Sequence, residues 1–297
     1  MENEKIKKII KSYYLISSNN GIICKRGENF VMIKHKIHNG FLKIPKGYET
    51  ENLLDVIGEC FYKFRKGVGY KGEVHRLRFR RISGGKVIFI GFKKQNRRLV
   101  PCKEKKIVIN RRELKFIYPL ILSPHLQEKK LGWKNDYIIF PYEFNNRKPI
   151  PEARLKKIAP NIYNYFQANK EILLDRSKYN DRIQKNEEFY GLIRVGLYTY
   201  GKYFVAIRDN TKLSPTIISK IKTHWGEEKT PIFDNHVSYI SVRPDGQFIT
   251  KEEADYITKK LRERKVRFIV ENLFDSRSIS SRLPIKIEDY YKTINER

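Results

Sequence analysis

The chain is poor in cysteine and in acidic residues, and it has no long apolar run. Its three cysteines in 297 residues, Cys24, Cys60 and Cys102, form no C-x-x-C pair. That scatter argues against a disulfide framework and against a cysteine-rich zinc site; it points to a reducing, cytoplasmic compartment. No apolar stretch approaches the roughly 20 residues of a membrane-spanning helix, and the opening MENEKIKKIIK lacks the apolar core of a secretion signal. No G-x-x-x-x-G-K-[ST] phosphate loop occurs. Neither an F-x-G-x-G loop after a strand nor an N-P-P-Y or D-P-P-Y tetrapeptide is present, so no cofactor-binding methyltransferase core is readable. His35 and His38 lie three apart with no second ligand pair at zinc spacing; they read as solvated strand histidines, and no metal site is expected.

The acid shortage is the informative one. Asp and Glu total 33 against 62 Lys and Arg, a formal charge of +29. The excess sits in no single tail; it recurs in KIKKIIK, HRLRFRR, FKKQNRR, KEKK and KKLRERK. A genome rich in A and T inflates Lys, Ile, Asn and Tyr but leaves arginine ordinary, and the Arg76 to Arg81 patch is not ordinary. With 40% apolar residues, 19 Tyr and 17 Phe the chain is globular. A positive field spread over a folded surface points to a polyanion, nucleic acid above all.

Periodicity predicts an α+β fold of twisted, largely antiparallel sheets with flanking helices. The division expected is an N-terminal α/β lobe, residues 1–110, carrying a basic β hairpin, followed by a second region, 111–297. Ile6, Ile9, Ile10 and Tyr13 have helical spacing. GIICKR and NFVMIKHKI read as strands, and Leu53, Ile57, Cys60, Phe61 and Phe64 as a second helix capped by Asn52 and ended by Gly67 and Gly69. In EVHRLRFRRISGGKVIFIGFKK the SGG marks a hairpin turn, and alternation sets Arg76, Arg78 and Arg80 opposite Leu77 and Phe79. With Arg81, Lys93, Lys94, Arg97 and Arg98 they make a candidate phosphate-binding stripe. Further on, YIIFPY is a strand ended or edged by Pro141, Pro160 opens a helix, KYFVAIR and HVSYISV are strands, and Thr250 with Glu253 forms a capping box ahead of ADYITKKL.

NDYIIFPYEFNN, residues 135–146, begins a recognisable order. YIIFPYE is followed by NKEILLDRSKY, with Lys170, Leu173 and Arg176 in K-x-x-L-x-x-R spacing, then the aromatic pair Phe189–Tyr190, PIFDNHVSYISV and KEEADYITKKL. With RRELKFIYPLILSPHLQ upstream, this order resembles the C-terminal target-recognition (specificity) domain of TaqI-like and Eco57I-like adenine-N6 DNA methyltransferases, over about residues 110–290. Leu261-Arg262-Glu263 stands where that family has Leu-Asn-Ser, and Phe189 where it has Trp.

The resemblance implies a target-recognition fold that binds double-stranded DNA. It also implies no cofactor in this chain and a separate adenine-N6 methyltransferase catalytic subunit that carries S-adenosylmethionine. On a helix, Lys170 and Arg176 flank the anchor Leu173 and suit phosphates. Asn145, Asn146, Arg147 and Lys148, on the loop after the FPY strand, have the amide and guanidinium groups that read base edges. Tyr137, Phe140 and Tyr142 read as core. The alternative is a restriction endonuclease carrying a methyltransferase-like recognition domain, with the carboxylates Glu73 and Glu104 beside Lys106, or Asp234, Asp245 and Glu253, as its metal-dependent hydrolytic cluster. A third reading is a single-strand or RNA-binding module that stacks bases on aromatic rings.

Overall fold

Antiparallel pairing of short strands dominates the computed structural model, which describes residues 15–17, 23–26, 30–34, 41–45, 56, 58–127, 130–175, 188–208, 213–271 and 285–295, with backbone alone before residue 56. The helix expected over Ile6 to Tyr13 lies outside these residues, as do His35, His38 and Arg176. Strands β1 (Leu15–Ser17), β2 (Ile23–Arg26), β3 (Phe30–Lys34) and β4 (Phe41–Pro45) form an antiparallel meander in sequence order. The helix expected through Phe64 is absent from its described part. Instead Cys60 bridges Ile287 and the Phe61 amide donates to the Ile287 carbonyl at 2.8 Å. Apolar side chains at helical spacing thus serve an extended segment, because its backbone partner lies more than 200 residues away.

Strand β5 (Arg65–Lys66) and the single turn α1 (Gly72–His75) lead into a meander of β6 (Arg76–Ser83), β7 (Lys86–Gln95) and β8 (Arg98–Ile109). Gly84 and Gly85 close the first hairpin with φ of +55° and +69°, the left-handed pair that a type I′ turn requires. Asn96 and Arg97 close the second with φ of 47° and 62°. Asn tolerates that region, whereas Arg97 carries a cost of about 1 kcal/mol.

After β9 (Ile117–Ile121), β10 (Leu126–Gln127) and β11 (Lys130–Leu131), strand β12 (Asp136–Ile139) inserts between β9 and β6. Pro141 therefore follows a central strand, just past its last paired residue. Helices α2 (Glu152–Ile158), α3 (Pro160–Ala168, with Pro160 in its first turn) and α4 (Lys170–Leu174) come next. The chain continues through β13 (Phe204–Arg208), β14 (Thr216–Ile218), β15 (Ile221–Lys222), β16 (Glu228–Lys229), β17 (Ile232–Phe233) and β18 (Val237–Ile240) to α5 (Lys251–Arg262), α6 (Arg264–Glu271) and α7 (Tyr290–Asn295). The larger sheet runs β17-β9-β12-β6-β7-β8, so residues on both sides of position 110 share it; the second sheet runs β14-β13-β18-β5. The fold is α+β.

Packing follows from alternation along these strands. One face of the larger sheet, with Leu77, Phe89, Ile107 and Tyr137, is covered by Leu155, Ile162, Phe166 and Leu173 of α2 to α4. Ile138 packs in another cluster with Phe140, Tyr142 and Leu120. In the second sheet Val205, Ile207 and Ile240 bury Ile257 and Leu261 of α5. Helix α5 starts at the capping box read from sequence: the Glu253 amide donates to Thr250 Oγ1 at 3.2 Å, and the Thr250 amide donates to Glu253 Oε2 at 2.9 Å. Gly67 permits a close approach between the sheets, since a Cβ there would come within 2.3 Å of the Phe233 and Asp234 carbonyl oxygens.

Asp136 ties the register together. Its Oδ1 accepts from Arg76 Nε at 3.0 Å and Nη2 at 2.7 Å, with Arg78 Nη2 at 3.7 Å; its Oδ2 faces His125 Nε2 at 3.3 Å. His125 Nδ1 accepts from the Leu122 amide at 3.1 Å, so Nε2 carries the proton toward the carboxylate. Burial alone would raise the Asp136 pKa, but the His125 hydrogen bond and the Arg76 and Arg78 charges outweigh it and hold the carboxyl below its usual range. A depressed folded-state pKa makes this stabilisation complete above the ordinary carboxylate range and removes it as pH falls through and below that range. Asp136→Ala should lower unfolding free energy by about 3 kcal/mol in urea titrations near neutral pH, with the gap to wild type narrowing below about pH 4; an equal gap at neutral pH and well below that range would refute the assignment.

Candidate nucleic-acid interface

The FPY segment is core, as expected of its aromatic residues. Tyr137, Phe140 and Tyr142 are buried, and Phe140 stacks on Tyr142 with ring centroids 4.6 Å apart. Beyond it the backbone closes on itself: Tyr142 bridges Pro149, and the Ile150 amide donates to the Pro141 carbonyl at 2.9 Å. Residues 143–148 between these closures are all exposed. The Asn146 amide donates to the Glu143 carbonyl at 3.1 Å, and Asn145 sits at φ 60°, a conformation asparagine tolerates better than most residues. Asn146 Oδ1 accepts from the Lys148 amide at 3.0 Å. Beneath the turn, the Tyr200 hydroxyl serves the Glu143 carbonyl at 3.0 Å and the Asn146 carbonyl. The Tyr200 phenol thus braces the loop from below, and Asn145, Asn146, Arg147 and Lys148 leave it together with Phe144, which is 71% exposed.

The eight cations expected as one stripe are divided by the meander. Arg76 and Arg78 turn to Asp136, and both guanidinium groups approach the Phe92 ring, at 4.3 and 5.5 Å from its centroid. Arg80 falls at a β-bulge between Phe79 and Arg81, and both Arg80 and Arg81 are exposed near the first turn. Lys93, Lys94, Arg97 and Arg98 are exposed at the second turn. The two turns lie at opposite ends of β7, about 40 Å apart at about 3.3 Å per residue. Between them Lys106 stands opposite Ile90, which in turn faces Arg78, so cations continue across the sheet. On α4, Leu173 is buried as the anchor and Lys170 Nζ lies 4.8 Å from the Phe189 ring centroid.

Arg147 also lines a cavity of about 800 Å³ with Lys63, Arg65, Leu197, Tyr198 and Arg243. Arg65 Cζ lies 5.5 Å from the Tyr198 ring centroid, and the Tyr198 hydroxyl donates to the Arg194 carbonyl at 2.8 Å. Burial pushes the Tyr198 hydroxyl pKa up, opposed by the charges of Arg65, Arg194 and Arg147. Arg194 holds φ at 63°, a strained conformation of the kind that collects at functional sites. Arg243 is committed elsewhere: Glu253 lies 2.6 Å from its Nη1, with Asp289 and Asp245 at 3.3 Å. Lys63, Arg65, Arg194 and Tyr198 escaped the sequence reading because no local spacing links them. A smaller cavity of about 360 Å³ shares Phe144 and Tyr200 with the loop and includes Lys229, whose pKa burial brings down to about 8 against the opposing charge of Glu227.

The acids considered for an endonuclease have other partners. Glu104 accepts from the Cys102 thiol at 2.9 Å, and Asp234 from Tyr70 at 2.8 Å and the His236 amide at 2.9 Å. Asp245 and Glu253 both face Arg243. Among the described residues no three His, Cys, Asp or Glu side chains gather as a metal site, and no helix is long and apolar enough to cross a membrane. No protein-family model matches the chain, and no curated protein matches it in sequence.

The Tyr200 hydroxyl gives the loop a specific test. Tyr200→Phe keeps the ring and should cost about 1 kcal/mol of stability, while amide hydrogen exchange over residues 143–148 rises at least severalfold. Unchanged exchange there would show that the hydroxyl does not set the loop.

Proposed function

We propose that this chain is a sequence-specific, double-stranded DNA recognition subunit of a restriction-modification or related defence system. It would work in the cytoplasm with a separate adenine-N6 methyltransferase subunit that binds S-adenosylmethionine. The observation that carries the reading is the 143–148 loop: four residues able to bond bases or phosphates, held outward on a backbone pinned from below. A preordered backbone loses less entropy on binding than a free loop would. Asn145, Asn146 and Arg147 are the base readers, while Arg80, Arg81, Lys93, Lys94, Arg97, Arg98, Lys148, Lys170 and Arg176 hold phosphates and fix register. Arg76 and Arg78 act differently, stiffening the strand that carries the other two arginines. Division of labour suits a sequence with no readable methyltransferase motif, because a methyltransferase must turn its target base out of the helix while another surface holds the site.

Fluorescence anisotropy with a duplex library tests both roles. Removing the Arg80 and Arg81 side chains should weaken all duplexes alike and flatten the slope of log affinity against log salt by about 0.9 for each phosphate those side chains neutralise. Asn145→Ala or Arg147→Ala should cost about 1–3 kcal/mol on the preferred sequence and less on others. A preference among duplexes that neither loop variant changes would overturn the assignment of the readers. Binding that does not depend on salt would overturn the DNA reading itself.

A further inference from the structure

The cavity beside the loop has a chemistry of its own. Its charged wall is cationic, from Lys63, Arg65 and Arg147, while Val195, Leu197 and Val242 supply an apolar wall. Among the described residues no carboxylate lines it. Among the same residues, Lys63, Arg65, Arg147 and Arg194 make no ion pair, whereas Arg243 at the cavity's edge is more than neutralised by three carboxylates, Asp245, Glu253 and Asp289. Three chain segments far apart in sequence bring these groups together: β5, the loop after β12, and the turn at Arg194. Each is fixed by backbone bonding. Arg65 is paired with Tyr239 in the sheet, the loop is held by Tyr200, and Ile193 exchanges two 2.9 Å bonds with Gly69.

We infer that this cavity is a binding site for one nucleoside phosphate, its phosphate held by Arg65, Arg147 and Lys63 and its sugar and base laid against Val195, Leu197 and Val242. Planar guanidinium groups match phosphate oxygens in pairs. A bare anion would leave the apolar wall uncovered, and an apolar molecule would leave the cations without a partner. The volume suits such a ligand, since small-molecule sites run from about 300 to 1,000 Å³. A nucleoside phosphate reaches the cavity from two sources, a free nucleotide or a nucleotide unit turned out of a strand. The inference holds for either and does not require the duplex-reading role of the loop.

Calorimetry on the full chain with adenosine monophosphate and with inorganic phosphate is the first arm. Anisotropy with a duplex carrying one unpaired adenosine, against the same duplex fully paired, is the second. Binding of adenosine monophosphate at one site per chain, weaker for inorganic phosphate and reduced at least tenfold by Arg65→Ala and by Lys63→Ala, would identify a free-nucleotide site. No binding of the mononucleotide, but a tenfold preference for the bulged duplex that both variants erase, would identify a strand nucleotide. Arg65 is exposed, so its truncation should leave the urea midpoint in place. The inference is overturned if neither probe is preferred, if inorganic phosphate binds as well as the mononucleotide, or if binding survives both variants. Affinity for the paired duplex, read in the same titrations, reports separately on the DNA-recognition reading.

Discussion

One buried carboxylate, Asp136, constrains how the larger sheet can assemble. Strand β12 lies between β9 and β6, and its side chains alternate between two buried environments: Tyr137 on one side, Ile138 on the other. A slip of one residue would exchange them. Apolar burial alone would resist that slip weakly, since both sides are apolar. The slip would, however, separate Asp136 from Arg76, Arg78 and His125 and leave a buried charge unpaired, which costs several kcal/mol. The ion cluster therefore selects register more than it adds stability. Because β12 leads directly into the loop, the same choice decides where residues 143–148 emerge.

Tyrosine does for the loops what Asp136 does for the strands. The Tyr190 hydroxyl donates to the Ile150 carbonyl at 2.7 Å while its ring stacks on Phe166. Tyr142 accepts from the Leu192 amide at 2.6 Å, and Tyr200 serves two carbonyls of the exposed turn. Each ring is buried and each hydroxyl reaches a backbone group that regular secondary structure leaves unpaired, the combination that suits tyrosine to such places. A chain with 19 tyrosines can thus hold irregular segments in place with few helices near them.

Local signals were legible and long-range ones were not. The box at Thr250 and Glu253, the glycine pair at 84 and 85, Pro160 in a first turn and Leu173 as an anchor each depend on neighbours within a few residues, and each formed as the chemistry of those neighbours dictates. Residues 58–64 did not, because the strand-like partner at 285–287 outweighs a helical spacing that sequence shows just as clearly. The α+β class was readable from the mixture of periods. The partner of Arg76 and Arg78 was not, since Asp136 reaches them only through the pairing of β12 with β6. The cationic cavity was least visible of all, with its members drawn from positions 63, 65, 147, 195–198 and 242.

Charge distribution carries the last step. Glu113, Asp136, Asp234 and Glu253 are all buried, so part of an already small acid supply never reaches the surface. Glu113 is met by the Asn161 amide at 2.7 Å and by Asn161 Nδ2 at 2.6 Å, and Asp234 by a tyrosine hydroxyl and a backbone amide, so these two carboxylates bond neutral donors. Exposed cations are left with even fewer anionic neighbours than the composition suggests. Like charges at the rim of a cavity repel, more so where low-dielectric walls limit screening. The fold sustains that repulsion at Arg65 and Arg147 by fixing their backbones in a sheet and a pinned turn. A phosphate arriving there would relieve it, so charge that opposes folding locally would favour binding at the same place.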